Sequence, residues 1–234
     1  YLSGGKRQGY PGYIRKNAVR PVNAAPVYDS VVKINSVEVY DALPPAGRRL
    51  FVLSLGTKIR IVEEQNGFSK IEIDKNRFGW VDRKSIGDIR RIEDTARLRG
   101  DIIKTAELFL DVPYLWGGRS YAGVDCSGLV NLAYRANGID LPRDAKDQRL
   151  TSKAITAEEL EPADLVFVSA KNDFDRIVHV MLFAGGEYLI ESPETGKNVR
   201  RITFKDKFGM DLAELKQSGF IAGNRKICIG SVIR

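Results

Sequence analysis

The chain has 234 residues, of which 43% are hydrophobic and 29% charged, a composition ordinary for a globular protein with a sizeable core. Its formal net charge is +7, carried by basic residues that are scattered along the sequence and form no single block. No run approaches the roughly 18 apolar residues that a membrane-spanning helix needs, and no cysteine has the paired spacing of a structural metal site.

Residues 36–88 predict short β-strands, because apolar and polar residues alternate between turn-forming positions. The end of this region, NRFGWVDRKSI at 76–86, aligns with QGYPGYIRKNAV at 8–19 in its order of aromatic, glycine, β-branched and basic residues. The repeat predicts a small all-β unit over 33–88, preceded over 1–22 by the end of a first copy. Both segments resemble bacterial SH3-like (SH3b) domains. A chain that starts inside a first copy leaves room for a signal or lipid anchor before Tyr1.

From about residue 94 the pattern becomes helical. Asp94 or Thr95 caps a predicted helix that stops at Pro113 and buries every third or fourth residue: Leu98, Ile102, Ala106 and Phe109. A second helix is predicted from about Cys126, with Gly138 at its C-terminal stop. Strand-like runs then follow at 164–170, 177–184, 188–192 and 226–233. Helices followed by an antiparallel sheet describe an α+β domain over 95–234.

Cys126, one of only two cysteines, lies where the second helix begins. Unpaired backbone N–H groups and the helix dipole favour a thiolate there, which is the nucleophilic form. The glycines around it (Gly117, Gly118, Gly123 and Gly128) are expected to leave room for a substrate backbone. A buried, unreactive thiol is the alternative.

His179 is the only histidine of the chain, and a core role is its alternative to catalysis. The sequence VHVMLFAGGEYLIE predicts a hairpin around Gly185 and Gly186. If the loop is Ala184 to Gly186, Phe183 pairs with Glu187, and His179 lies directly opposite Glu191. Glu191 would then orient the imidazole, and the imidazole would act as base to Cys126.

Together the motifs PYLWGG, DCSGLV, LPRDAKDQ, EPADLVFV and HVMLFAGGEYLIE resemble the NlpC/P60 cysteine peptidases, over about residues 95–234. The resemblance implies a papain-like catalytic domain, here preceded by small SH3-like barrels, that cleaves peptides of bacterial peptidoglycan. It implies Cys126 as nucleophile, His179 as base and Glu191 as the third, orienting member. That third position is often histidine in the family, and an anion there should hold the imidazolium more strongly.

The SH3b-like segments narrow the resemblance to γ-D-glutamyl-L-diamino acid endopeptidases, which cut stem peptides with a free N-terminal L-alanine before meso-diaminopimelate or lysine. The resemblance places four residues where that branch reads the alanine amine and the D-glutamate: Tyr10, Asp125, Ser127 and Asp144. Ala145 stands where a serine is common, so one hydrogen bond to the substrate is expected to be missing.

Two other functions stay open. A transglutaminase-like enzyme or acyltransferase uses the same residue types with an amine or lipid as acceptor, and a non-catalytic wall-binding protein would carry a degenerate peptidase domain. We expect peptidoglycan stem peptides as partners, no nucleic acid, no cofactor or metal, and a monomer. The expected location is the cell envelope or outside the cell, with cytoplasmic recycling of wall peptides as the alternative. The scattered basic residues predict a solvated surface or, alternatively, contact with the anionic cell wall.

Overall fold

The computed structural model describes residues 2–3, 6–7, 13–19, 27–74, 76–89, 94–214 and 219–233. Its N-terminal part is formed by strands β1 Leu2–Ser3, β2 Lys6–Arg7, β3 Ser30–Val32, β4 Ser36–Tyr40, β5 Arg49–Ser54, β6 Lys58–Ile59, β7 Ile61–Gln65, β8 Phe68–Asp74, β9 Arg77–Asp82 and β10 Ile86–Asp88. Strands β1 and β2 pair with each other. Half of the predicted first copy, including Tyr10, lies outside the described residues.

Strands β3 to β10 form two antiparallel sheets, one in the order β10-β3-β6 and one in the order β5-β4-β9-β8-β7. Alternate residues of β4 and β8 are buried, as the sequence pattern predicts. The buried side chains form one aliphatic cluster: Val32, Val37, Val39, Ile59, Ile71, Val81 and Ile86. The predicted breaks at Gly56 and Asn66–Gly67 are confirmed, and all three residues have the positive φ that tight turns demand.

The remaining elements are α1 Thr95–Glu107, β11 Arg119–Ser120, β12 Gly123–Val124, α2 Cys126–Arg135, α3 Ala145–Thr151, β13 Lys153–Ala154, β14 Leu165–Ala170, β15 Asp173–Gly185, β16 Tyr188–Glu191, β17 Arg200–Thr203, α4 Phe204–Phe208, β18 Gly219–Ala222 and β19 Arg225–Ser231. Seven of these strands form an antiparallel sheet in the order β13-β19-β14-β15-β16-β17, with β18 beside β19. The predicted succession of helices and then antiparallel strands is confirmed.

Both predicted helices form, and local sequence explains where each begins. The Asp94 carboxylate accepts a hydrogen bond from the Arg97 backbone N–H, and the Asp125 carboxylate accepts one from Gly128 at 2.7 Å. Each bond satisfies one of the free donors at a helix start. After α2 the chain turns through Gly138, whose φ is +87°. The predicted apolar faces of α1 and α2 are buried in one cluster with the sheet residues Leu165, Phe167, Val180 and Leu182.

The N-terminal sheets contact the end of α2. Leu55 is only 1% exposed and belongs to the same apolar cluster as α1 and α2. Lys58 Nζ lies 2.6 Å from Asp140 Oδ2, and Lys33 Nζ donates a hydrogen bond to the Ala136 carbonyl. The N-terminal part therefore adds Leu55 to the core of α1 and α2 and keeps its own aliphatic cluster as well.

Candidate active site

Cys126 is the first residue of α2 and is a partly exposed free thiol. The loop before it is held by Asp125, whose Oδ2 accepts a hydrogen bond from the Gly117 backbone N–H at 2.9 Å. This carboxylate therefore fixes both the helix start and the loop in front of it. The thiol stands beside the backbone N–H groups of a helix start, where a developing negative charge is stabilised.

The glycines around Cys126 have a different role from the predicted one. A Cβ on Gly118 would lie 2.6 Å from the Gly123 carbonyl oxygen, and a Cβ on Gly128 would lie 2.2 Å from the Gly118 oxygen. A Cβ on Gly123 would meet Leu115 at 2.7 Å. These three glycines let the loop pack against α2 and do not make room for a substrate. Only Gly117, with φ +76° and no atom near its missing Cβ, faces open space.

His179 and Glu191 are brought together, but the predicted register is wrong. Phe183 pairs with Leu189 and not with Glu187, because the chain bulges at Ala184 before the turn. The shift is two residues, so both side chains stay on the same face of the sheet. His179 Nε2 lies 2.8 Å from Glu191 Oε2 across a diagonal.

Glu191 is fully buried and has two further cationic partners. Its Oε1 accepts hydrogen bonds from Arg200 Nε at 3.0 Å and Nη2 at 2.8 Å, and its Oε2 accepts one from Lys207 Nζ at 2.5 Å. Burial alone would raise the pKa of Glu191, but the His179 hydrogen bond and the charges of His179 and Lys207 lower this pKa to about 2. The carboxylate is therefore ionised throughout the neutral range.

The Cys126 side chain also acts on the His179 ring, since it is one of the groups that raise the pKa of His179. Because Nε2 faces Glu191, Nδ1 is the nitrogen left for the thiol. Burial lowers the pKa of His179, but the hydrogen bonds and charges of Cys126 and Glu191 together raise it above its ordinary value of 6.5. A protonated imidazole beside the ionised Glu191 carboxylate is therefore a state that this geometry stabilises.

Two clefts meet at this pair of residues. The cysteine-side cleft, about 650 Å³, is lined by Tyr114, Trp116, Gly117, Asp125, Cys126, Ser127, Arg143, Asp144, Ala145, Lys146, Arg176, Ile177 and Val178. The histidine-side cleft, about 510 Å³, is lined by Val168, Val178, His179, Pro193, Glu194, Lys197, Arg200, Lys207, Phe208, Ala222, Arg225 and Ile227. Val178 borders both, so the thiol and the imidazole lie where the two clefts join.

Three of the four predicted substrate-binding residues line the cysteine-side cleft: Asp125, Ser127 and Asp144. Asp125 is only 7% exposed, and its carboxylate binds the Arg143 guanidinium through both oxygens, at 3.0 and 2.5 Å. Ser127 Oγ accepts a hydrogen bond from Arg143 at 2.8 Å. Asp144 precedes α3, yet its side chain makes no capping bond to that helix. Tyr10 is outside the described residues.

The sequence analysis missed several residues of the site. Tyr114 lines the cysteine-side cleft, where burial and the charges of Cys126 and Asp125 raise its pKa to about 12. Trp116 is 84% exposed at the cleft rim, and Arg143 joins Asp125 to Ser127. These three residues belong to the motifs PYLWGG and LPRDAKDQ, so their closeness in sequence to Cys126 and Asp144 was the signal that could have identified them. Lys207, by contrast, follows Glu191 by 16 residues and gives no local signal.

Cys228 is 8% exposed, belongs to the apolar cluster of α1 and α2, and forms no disulfide. Over the described part of the chain, no three His, Cys, Asp or Glu side chains are grouped so that they could hold a metal ion. Within the same ranges, no helix has the length and apolar character needed to cross a membrane.

A thiol at a helix start, together with an imidazole that a buried carboxylate holds, is the arrangement of cysteine-dependent acyl-transfer enzymes. Residues 111–212 match the NlpC/P60 family, and this part of the chain is an NlpC/P60 domain.

Two relatives extend the similarity beyond this domain. The γ-D-glutamyl-L-lysine dipeptidyl-peptidase of Bacillus subtilis (strain 168) is 31% identical over 203 residues, which cover 85% of this chain and 65% of that protein. The protein of the same name from Bacillus cereus is 26% identical, over 83% of this chain and 60% of that protein. The chain thus spans less than two thirds of either relative.

A solved NlpC/P60 family protein from Bacillus cereus has a similar fold. It matches with a TM-score of 0.67 and 25% identity, over 75% of this chain and 58% of that chain. The structural match extends beyond the family match, so it includes strands outside residues 111–212.

Proposed function

We propose that the chain is a cysteine peptidase that cleaves the γ-D-glutamyl-L-diamino acid bond of peptidoglycan stem peptides. The observation that carries the proposal is the 2.8 Å contact between the His179 ring and the buried Glu191 carboxylate, with the Cys126 thiol at the start of α2 acting on the same ring. The names of the two relatives support the same bond, with lysine as the diamino acid.

The chemistry follows from these positions. The Cys126 thiolate attacks the γ-carbonyl carbon, and N–H groups at the start of α2 stabilise the oxyanion. His179, which holds the thiol proton, gives it to the departing amine as the C–N bond breaks, which leaves a thioester. A water molecule gives a proton to His179 and attacks the thioester, so that the γ-carboxyl product leaves and the thiol is restored. Glu191 stays ionised and stabilises the imidazolium throughout.

The acyl half of the substrate, L-Ala-γ-D-Glu, occupies the cysteine-side cleft in this proposal. A free ammonium that enters a cleft loses its hydration, which must be replaced by anions and hydrogen-bond acceptors. Asp144 is a carboxylate that lines this cleft, and we assign it, together with Tyr10, to the alanine amine. Ser127 and Arg143 are the donors that we assign to the D-glutamate carboxylate.

We extend the proposal to the domain organisation. Residues 95–234 form the peptidase domain, 33–88 an SH3b-like domain, and 1–22 the end of another. A 3₁₀ turn forms at Lys16–Ala18 in the first segment of the sequence repeat and another at Arg83–Ser85 in the second. Each turn contains at least one residue of the basic pair in its segment, which supports the two-copy interpretation. We also propose a location in the cell envelope or outside the cell, with cytoplasmic recycling of wall peptides as the alternative.

The test compares L-Ala-γ-D-Glu-diaminopimelate with its N-acetylated form, which lacks the ammonium. We expect kcat/KM to be on the order of 10⁴-fold higher for the free peptide, because acetylation removes the ammonium that the site is proposed to recognise. Equal kcat/KM values would show that no amine is recognised. Cleavage of intact sacculi in preference to free tripeptide would also contradict the proposed substrate.

A further inference from the structure

The histidine-side cleft has an excess of positive charge that the catalytic residues do not explain. Four of its lining side chains are cationic: Lys197, Arg200, Lys207 and Arg225. Among the described residues that line it, Glu194 carries the only carboxylate. A cleft of this sign attracts an anionic group and repels a cationic one.

The pairing of these four cations leaves part of their charge uncompensated. Lys197 pairs with Glu194 at 2.7 Å, whereas Arg200 and Lys207 share the single carboxylate of Glu191. Arg225 Nη1 donates to the Ser169 carbonyl oxygen at 2.6 Å, and no carboxylate of the described residues forms an ion pair with it. Four cations therefore face two carboxylates, and a bound anion would restore the balance.

The position of the cleft identifies which half of the substrate enters it. His179 must reach the departing amine to protonate it, so the leaving diamino acid lies on the histidine side of the thiol. Lysine presents a lone ammonium at the end of its side chain, whereas diaminopimelate presents a carboxylate beside its ammonium. Only the second side chain carries the anion that the cleft lacks.

We propose that the histidine-side cleft binds the side-chain carboxylate of the leaving residue, so that the enzyme prefers meso-diaminopimelate to lysine. The inference rests on the proposed peptidase function. Arg225 is the residue with an uncompensated charge, and its planar guanidinium suits bidentate carboxylate binding. Lys197 also lines the cleft and adds a second positive charge, which is paired with Glu194.

The substrate arm of the test uses wild-type protein and three tripeptides that share L-Ala-γ-D-Glu: one ends in meso-diaminopimelate, one in its side-chain amide and one in L-lysine. We expect kcat/KM to fall about tenfold from the first to the other two. The amide keeps the shape and removes only the anion. An amide cleaved as well as the acid would overturn the proposal.

A second substrate arm separates the two carboxylates of the leaving residue. We expect amidation of the α-carboxylate to lower kcat/KM less than amidation of the side chain. If only the α-amide is cleaved poorly, the cleft binds the chain end, and the side-chain assignment is wrong. If wild-type protein cleaves none of the peptides, the proposed function itself fails. If it cleaves all of them at equal rates, the peptidase function stands and only the side-chain assignment is wrong.

The protein arm uses Arg225→Gln and Lys197→Gln. Glutamine at 225 can still donate to the Ser169 carbonyl, and thermal melts check that each variant is folded. We expect both variants to narrow the ratio of acid to amide kcat/KM, with the larger effect at Arg225. The control is Lys226→Gln, because Lys226 is an exposed neighbour that does not line the cleft. A ratio unchanged in Arg225→Gln, or narrowed equally by Lys226→Gln, would contradict the assignment.

Discussion

Glu191 is a buried carboxylate held by three cationic groups, and this distinguishes it from a neutral hydrogen-bond acceptor at the same place. A charge in a buried site acts strongly on its neighbours, since little water screens it. Arg200 binds Oε1 of this carboxylate, and Lys207 binds Oε2, the oxygen that also faces His179. Its orientation, and therefore that of the imidazole, is set by residues on β17 and α4.

We expect Glu191→Gln to move the alkaline limb of the kcat/KM profile to lower pH. Glu191 is one of the two groups that raise the pKa of His179, so its neutralisation lowers that pKa. The rate at the optimum should also fall, on the order of 100-fold, because the amide orients the ring but does not stabilise its charge. The pH–rate profile is measured on the free tripeptide. An unshifted alkaline limb would show that Glu191 does not act through His179.

The same carboxylate predicts acid sensitivity of the fold. Folding lowers the pKa of Glu191 from 4.5 to about 2, so between these values the unfolded chain binds more protons than the folded one. The free energy of unfolding should therefore decrease as pH falls through this window, by about 2 kcal/mol between pH 6 and pH 3. Urea unfolding of wild type and Glu191→Gln isolates this loss. Parallel pH dependence in the two proteins would contradict it.

Asp144→Asn tests recognition of the substrate amine. We expect about tenfold lower kcat/KM for the free tripeptide, because a neutral amide replaces the anion that faces the ammonium. The kcat/KM for the N-acetylated peptide should not increase in this variant. Glu158→Gln, an exposed carboxylate that does not line the cysteine-side cleft, is the matched control. Equal losses in both variants would assign the effect to overall charge.

The elements show which sequence signals suffice for prediction. Helix α2 could be predicted because its cap, its apolar face and Gly138 are all local signals. The register between β15 and β16 could not be predicted, because a bulge at Ala184 inserts one extra residue and no turn motif in the sequence indicates it. The side-chain contact was nevertheless predicted correctly, since a two-residue shift preserves the face of the sheet.

Two helical glycines form a matched pair for a test at the level of elements. A Cβ on Gly128 would lie 2.2 Å from the Gly118 carbonyl oxygen, whereas a Cβ on Gly100 in α1 meets nothing within 4 Å. We expect Gly128→Ala to lower the free energy of unfolding by about 2 kcal/mol and Gly100→Ala to raise it by about 1 kcal/mol. Urea denaturation followed by circular dichroism measures both. Stabilisation by Gly128→Ala would mean that the loop before Cys126 is not closely packed.

At the scale of the whole molecule, the site combines residues from separated parts of the chain. Cys126 and His179 could be identified from short motifs because each stands in a distinctive local sequence. The positive charge of the histidine-side cleft could not be predicted from the sequence, because Arg200, Lys207 and Arg225 come from different elements of the folded chain. The role of Asp125 was also hidden, since its partner Arg143 lies 18 residues away.

The shared core predicts that the N-terminal sheets and the helices unfold together. Leu55 lies in the cluster of α1 and α2. Leu55→Ala should therefore lower the free energy of unfolding by about 3 kcal/mol, because it leaves a cavity in that cluster. Leu50, which is 43% exposed, is the control, and its replacement by alanine should change stability by less than about 0.5 kcal/mol. Differential scanning calorimetry checks both. Two separate thermal transitions in wild type would contradict a shared core.

The central claim is hydrolysis of the γ-D-glutamyl bond through Cys126. Its most direct test is mass spectrometry of L-Ala-γ-D-Glu-diaminopimelate after incubation in ¹⁸O-labelled water, with wild type, Cys126→Ala and Cys228→Ser. We expect wild type and Cys228→Ser to release diaminopimelate and L-Ala-D-Glu with one ¹⁸O in the new carboxyl group, and Cys126→Ala to release neither. Wild-type turnover by Cys126→Ala, or transfer of the acyl group to an amine without ¹⁸O incorporation, would contradict the claim.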